Sequence, residues 1–154
     1  MKDKELIQRL RARGPHRDTT GFNLFDFLHT EGCGLDALLY SRLFWPEFVE
    51  MNQMVFLKET FEDEDDWRRL AEAFEHYGKD YRKTEQSFNL VEIPSLFGRR
   101  VGETTDEDDH WLAERLAEMW SYRLQVLYPH RHFVVEVLEP EQTGGEVAVI
   151  FYQQ

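Results

Sequence analysis

A single cysteine, Cys33, stands among 154 residues, which excludes an intramolecular disulfide framework and any multi-cysteine zinc or iron–sulfur centre. A reducing, cytoplasmic setting is the expectation. No apolar run reaches the roughly 20 residues of a membrane-spanning helix, and the charged opening MKDKELIQRLRARG lacks the hydrophobic core of a signal peptide. Basic residues are scarce as well: 18 Lys and Arg face 30 Asp and Glu, for a formal net charge of −12. A body that acidic repels phosphate and anionic lipid, which argues against nucleic-acid or membrane-surface roles and favours a basic protein partner. Plain solubility is the simpler use of the same charge. There is no P-loop, no GxGxxG after a strand, no GxSxG elbow and no zinc-finger spacing. These absences remove the reaction classes that sequence can recognise without excluding an enzyme.

What is present is apolar and aromatic. Hydrophobic residues make up 42% of the chain, with 12 Phe, 6 Tyr and 4 Trp, too many for a disordered acidic tail. The length fits one domain over residues 1–154 with a real core. Charge is uneven along it. Lys2, Lys4, Arg9, Arg11, Arg13 and Arg17 outnumber Asp3, Glu5 and Asp18, so residues 1–18 form a basic helical arm of +3 and the remainder carries −15.

Periodicity outlines the elements. Leu6, Ile7 and Leu10 share a helical face that Gly14-Pro15 ends, whereas FNLFDFL (Phe22–Leu28) is too short for its period to decide. Leu35, Leu38, Leu39 and Leu43 recur at helical intervals before Pro46. Over Glu47–Leu57 the period becomes two, with Val49, Met51, Val55 and Leu57 on one side and Phe48, Met54 and Phe56 on the other, the pattern of one long strand. Trp67, Leu70, Ala71, Phe74 and Tyr77 return to helical spacing and stop at Gly78. QSFNLVEIPSLFG reads as a short strand entering a turn. The longest helix carries Leu112, Leu116, Met119, Trp120, Arg123, Leu124 and Leu127 and ends at Pro129; HFVVEVL and EVAVIFYQ then form a terminal hairpin. The sum is an α+β domain: a small, mainly antiparallel sheet of about four strands packed against three to four helices.

Two acidic blocks are the conspicuous feature. Asp63, Glu64, Asp65 and Asp66 run into Trp67, and Asp106, Glu107, Asp108 and Asp109 run through His110 into Trp111. Aligned by their tryptophans, Thr60 matches Thr104 and Asp63 matches Glu107, two threonine N-caps with an acid three residues on, with Thr105 a rival cap. Beyond the tryptophans the likeness ends, so the blocks are not a duplicated unit. Acids in a first helical turn meet unpaired N–H groups and the positive end of the macrodipole, worth roughly 0.3–1 kcal/mol each. That accounts for their place better than for their number, because neighbouring carboxylates repel. A hard-metal site is the sharper alternative, but successive helical residues point in different directions, and no calcium-loop pattern is present.

Other candidates are thinner. Cys33 precedes a helix and has His29 nearby in sequence, but nothing supplies the orienting group that a nucleophile needs. His130 and His132 fall on one side of an extended chain without a third ligand, and Glu72 and His76 read as a solvated helical pair. His16 falls in a loop. No cofactor is expected. The leading expectation is an acidic interaction protein of bacterial type, comparable in composition to an immunity protein that neutralises a basic toxin, with Asp63–Trp67 and Asp106–Trp111 as the partner surface. The rival is a small enzyme or ligand-binding domain with an aromatic pocket using Cys33 or the histidine pair. Self-association is compatible with either.

Overall fold

The computed structural model describes residues 3–13, 18–97 and 104–154; the Gly14-Pro15 stop and His16 lie outside them. Two compact units result, Met1–Ser41 and Arg42–Gln154. The fold is α+β, with eight helices among the described residues and two antiparallel sheets.

The first unit is helical. Helix α1 (Asp3–Arg13) is followed by α2 (Leu24–Glu31), which resolves the undecided stretch as helix. Its signal is local: the Asn23 side chain accepts the N–H groups of Phe25 and Asp26, and Asp26 returns a bond to the Asn23 N–H at 2.8 Å. Phe22 and Phe27, on either side of that cap, meet edge to face at 5.4 Å, the hydrophobic staple of a helix start. Helix α3 (Gly34–Phe44) begins in this unit; none of its side chains is fully buried, and of its leucine stripe Leu35, Leu38 and Leu39 are exposed whereas Leu43, like Phe44, is half-buried against the main core.

The second unit opens with a correction. Glu47–Leu57 is not one strand but a hairpin, β1 (Phe48–Met51) and β2 (Met54–Leu57), turning at Asn52 and Gln53 with φ of 49° and 72°. A two-residue turn reverses the chain and exchanges the parity of the faces, because residues directly opposite in an antiparallel pair share a side. Val49 and Met51 therefore join Met54 and Phe56, while Phe48 joins Val55 and Leu57. The former set packs with Phe61 and Leu70 of α4 (Glu64–His76), and the latter packs in the main core.

A helix unmarked by the hydrophobic pattern follows, α5 (Tyr81–Phe88), capped by Asp80, which takes Gln86–Phe88 out of the expected strand. The strand that remains is β3 (Leu90–Glu92), leading into the short α6 (Ile93–Leu96). Helix α7 (Asp106–Leu127) is the main packing helix, burying Ala113, Leu116, Trp120 and Leu124, with Leu127 left exposed. The terminal hairpin forms as expected from β4 (Phe133–Leu138) and β5 (Ala148–Gln153), with the one-turn α8 (Pro140–Thr143) in its connection. Strand β5 lies between β3 and β4. Its central place explains the unbroken apolar run AVIFY: Val149 and Phe151 join the α7 core, while Tyr152 lies under Arg82 of α5, 4.5 Å from the ring centroid.

Candidate functional site

The first acidic block is a helix start, but its cap is not the expected one. Asp63 itself, not Thr60, is the N-cap: its carboxylate accepts the N–H groups of Asp65 and Asp66 at 2.9 and 3.1 Å. Asp66 reciprocates by accepting from the Asp63 and Glu62 N–H groups and by pairing with Arg69. Asp65 faces Arg68 at 3.2 Å. The hydrogen bond from the Glu62 N–H, with Arg69 and the Asp63 N–H behind it, holds the Asp66 carboxyl below the ordinary aspartate range.

In the second block the cap is Thr105 rather than Thr104, and Asp108 closes the box by accepting the Thr105 N–H at 2.8 Å. Measured from the caps, the two tryptophans are not equivalent. Trp67 is the fourth residue after its cap and Trp111 the sixth, so the alignment by tryptophan paired residues that do different work. Trp67 stacks on Phe61 at 4.4 Å inside the α4 cluster, whereas Trp111 is exposed, with the Arg115 guanidinium 5.9 Å from its ring centroid.

The blocks are carried by helices on opposite sides of a layer. Helix α4 packs on the face of the β1–β2 hairpin that presents Met54 and Phe56, and α7 on the face that presents Val55 and Leu57. Among the described residues no group of three or more His, Cys, Asp or Glu is placed to hold a metal ion. Four of the eight carboxylates have roles already stated: Asp63, Asp65, Asp66 and Asp108 cap or pair within their own helices. Asp109 also has a partner. The side chains of Glu64, Asp106 and Glu107 are exposed and have no hydrogen bond or ion pair among the described residues. They are the carboxylates that helix capping does not account for.

The remaining candidates are dispersed. Cys33 is exposed immediately before α3, and its carbonyl accepts the Ala37 N–H at 3.0 Å. His130 and His132 are both exposed where the chain passes from α7 to β4. His110, beside the second block, reaches beyond its own helix: its Nε2 lies 2.8 Å from Glu139, the residue that precedes α8.

Sequence reasoning missed a buried carboxylate. Glu85 of α5 is fully buried and receives the Val55 N–H at 2.8 Å, the Gln153 N–H at 2.7 Å and the Gln153 side-chain amide at 2.7 Å. One helical turn later, buried Asn89 donates to the Val55 carbonyl at 2.8 Å and accepts the Leu57 N–H at 3.4 Å. Together they pair the edge of β2 that β1 leaves open and tie it to the end of β5, where unpaired groups would be costly. The Glu85-x-x-x-Asn89 spacing puts both on one helix face, but no local signal says that this polar face is the buried one. Their partners are main chain and one amide of the protein itself, so their work is structural.

Comparison with protein-family models, with curated proteins and with solved structures found no match.

Proposed function

We propose that this chain is a cytoplasmic, bacterial-type interaction module that binds a basic protein, in the manner of an immunity protein, through the acidic start of α7 and, separately, the start of α4. The observation that carries the reading is the surplus of carboxylate: Glu64, Asp106 and Glu107 are exposed and, among the described residues, engaged neither in capping nor in ion pairs. Carboxylates free of internal partners keep their charge available for a cationic surface, where they raise the rate of encounter and select against acidic partners. Trp111, exposed five residues into the second block, adds the type of side chain that anchors an interface. Trp67 is held against Phe61 and contributes to the fold of its block rather than to contact.

The test is retention of a basic protein by the immobilised chain at low and high salt. Retention at low salt that is lost at high salt, and lost at low salt in the Glu64→Lys, Asp106→Lys, Glu107→Lys triple variant, is the expected result. Those three positions leave Asp63, Thr105 and both capping boxes intact, so the variant should fold. Retention indifferent to salt and to the three reversals rules the reading out.

A further inference from the structure

Strand β4 is an edge left open. It pairs with β5 alone, and two neighbours fix the phase of the ladder: the Gln154 N–H donates to the His132 carbonyl, while the Gln153 N–H turns away to Glu85. Bonded and non-bonded pairs alternate in an antiparallel ladder. Val134, Glu136 and Leu138 therefore bond to β5, and the N–H and C=O groups of Phe133, Val135 and Val137 point outward. None of these outward groups has a hydrogen-bond partner among the described residues, and no residue of the strand is buried. Natural proteins blunt such an edge with lysine, proline, a bulge or short length. FVVEVL has none of these: it runs for six residues in unbroken register, with Glu136 as its one charge. The opposite edge strand, β3, has three residues and runs into Pro94.

Charge selects the occupant. Glu136 is exposed in mid-strand and has no ion pair among the described residues, its partner being the Tyr152 hydroxyl at 3.0 Å. A residue directly opposite it on an added strand would share its face. At the end of β4, the 2.8 Å contact of His110 with Glu139 holds the first turns of α7 beside the strand. Asp106 and Glu107, the carboxylates that capping leaves over, lie within about one helical turn of His110. A chain laid along β4 thus passes Glu136 and reaches Glu139 and the acidic start of α7. Two copies joined edge to edge would bring these same carboxylates together and repel.

We infer that β4 is a docking edge for an extended, basic segment of a protein partner, with Lys or Arg alternating with apolar residues, which joins the sheet as a further strand. Main-chain bonds to Phe133, Val135 and Val137 supply the affinity, and Glu136, Glu139, Asp106 and Glu107 the preference for basic sequence. The inference rests on the acidic-surface reading for the charge of the partner, not for the place of contact.

Residue-resolved amide hydrogen exchange of the full chain, with and without a Lys-Val-Lys-Val-Lys-Val-Lys peptide, tests it. In the free chain the Phe133, Val135 and Val137 amides should exchange fast while those of Val134, Glu136 and Leu138 are protected, and the peptide should slow the first three about tenfold or more. The same peptide N-methylated throughout keeps its charge but has no donors, and should bind about tenfold more weakly or worse. Three outward amides already protected in the free chain, protected by rising chain concentration without peptide, or unaffected by the peptide each overturn the proposal. Binding that ignores N-methylation overturns it too, but leaves the acidic-surface reading standing if Asp106→Lys with Glu107→Lys abolishes that binding. Protection of the three amides that ignores those reversals and high salt overturns the acidic-surface reading, and with it the basic occupant.

Discussion

Glu85 and Asn89 are the residues on which the second unit's polar accounting depends. The Val55 and Gln153 N–H groups would lose their acceptor if the Glu85 carboxylate were removed, at about 1–3 kcal/mol per buried group, whereas the Gln153 side-chain amide keeps the Gln53 carbonyl. Glu85→Leu is therefore expected to cost about 3 kcal/mol or more in urea unfolding, and Asn89→Leu about 2 kcal/mol. A loss under 1 kcal/mol in both would mean that the α5 to β2 connection is not formed in solution. Asp66 makes a different prediction. Its carboxyl is held below the ordinary aspartate range, first by the Glu62 N–H and then by Arg69 and the Asp63 N–H. A depressed folded value stabilises the protein above the unfolded value, about 3.9, and that stabilisation fades as pH falls through the folded value. The stability advantage of the native protein over Asp66→Asn should thus be constant near neutrality and shrink below about pH 4. An advantage that persists unchanged in acid would contradict the geometry.

At the scale of the element, the hairpin of residues 48–57 shows what local pattern can and cannot carry. Alternation was legible, but Asn-Gln is a weaker turn signal than Asn-Gly, and an unbroken period of two looks the same in one strand as in two. Gln53 sits at φ 72°, and its contacts to Arg131 and to the Gln153 side chain use only its carbonyl oxygen. Gln53→Gly should keep those bonds, relieve the left-handed backbone and raise stability by about 0.5–1 kcal/mol, seen as a melting temperature higher by about 2–4 °C. The helix starts tell a similar story. Acid at the start of α4 was legible, but the choice among Thr60 and Asp63 depends on where the preceding chain enters. Here a 3-10 turn over Lys58–Thr60 occupies the threonine, and the β-region backbone needed for a cap falls at Asp63. Asp63→Ala should cost about 1 kcal/mol. Glu64→Lys, one residue on, removes no cap.

For the whole molecule, the concentration of negative charge in residues 42–154 is the governing fact. Self-repulsion of that unit should make it more stable as salt rises from about 10 to 200 mM, because screening shortens the reach of each carboxylate. Its two apolar clusters contain no residue before Leu43. A fragment of residues 42–154 is accordingly expected to unfold cooperatively, read by the fluorescence of buried Trp120. Noncooperative melting of that fragment would show that the first unit completes its core.

Sequence by itself determined the class of fold, the long α7, the terminal hairpin and the acidic helix starts. Each depends on period, composition or capping chemistry within a few consecutive residues. Tertiary structure alone decided which faces are covered. It turned residues 48–57 back on themselves and so regrouped Val49 and Met51 with Met54 and Phe56; it buried Glu85 and Asn89, and it left Leu35, Leu38 and Leu39 in water. The reason is common to all three. A residue's character states what contact would stabilise it, but whether that contact exists depends on chain segments far away in sequence, such as Val55 and Gln153 reaching Glu85 across 30 and 68 residues.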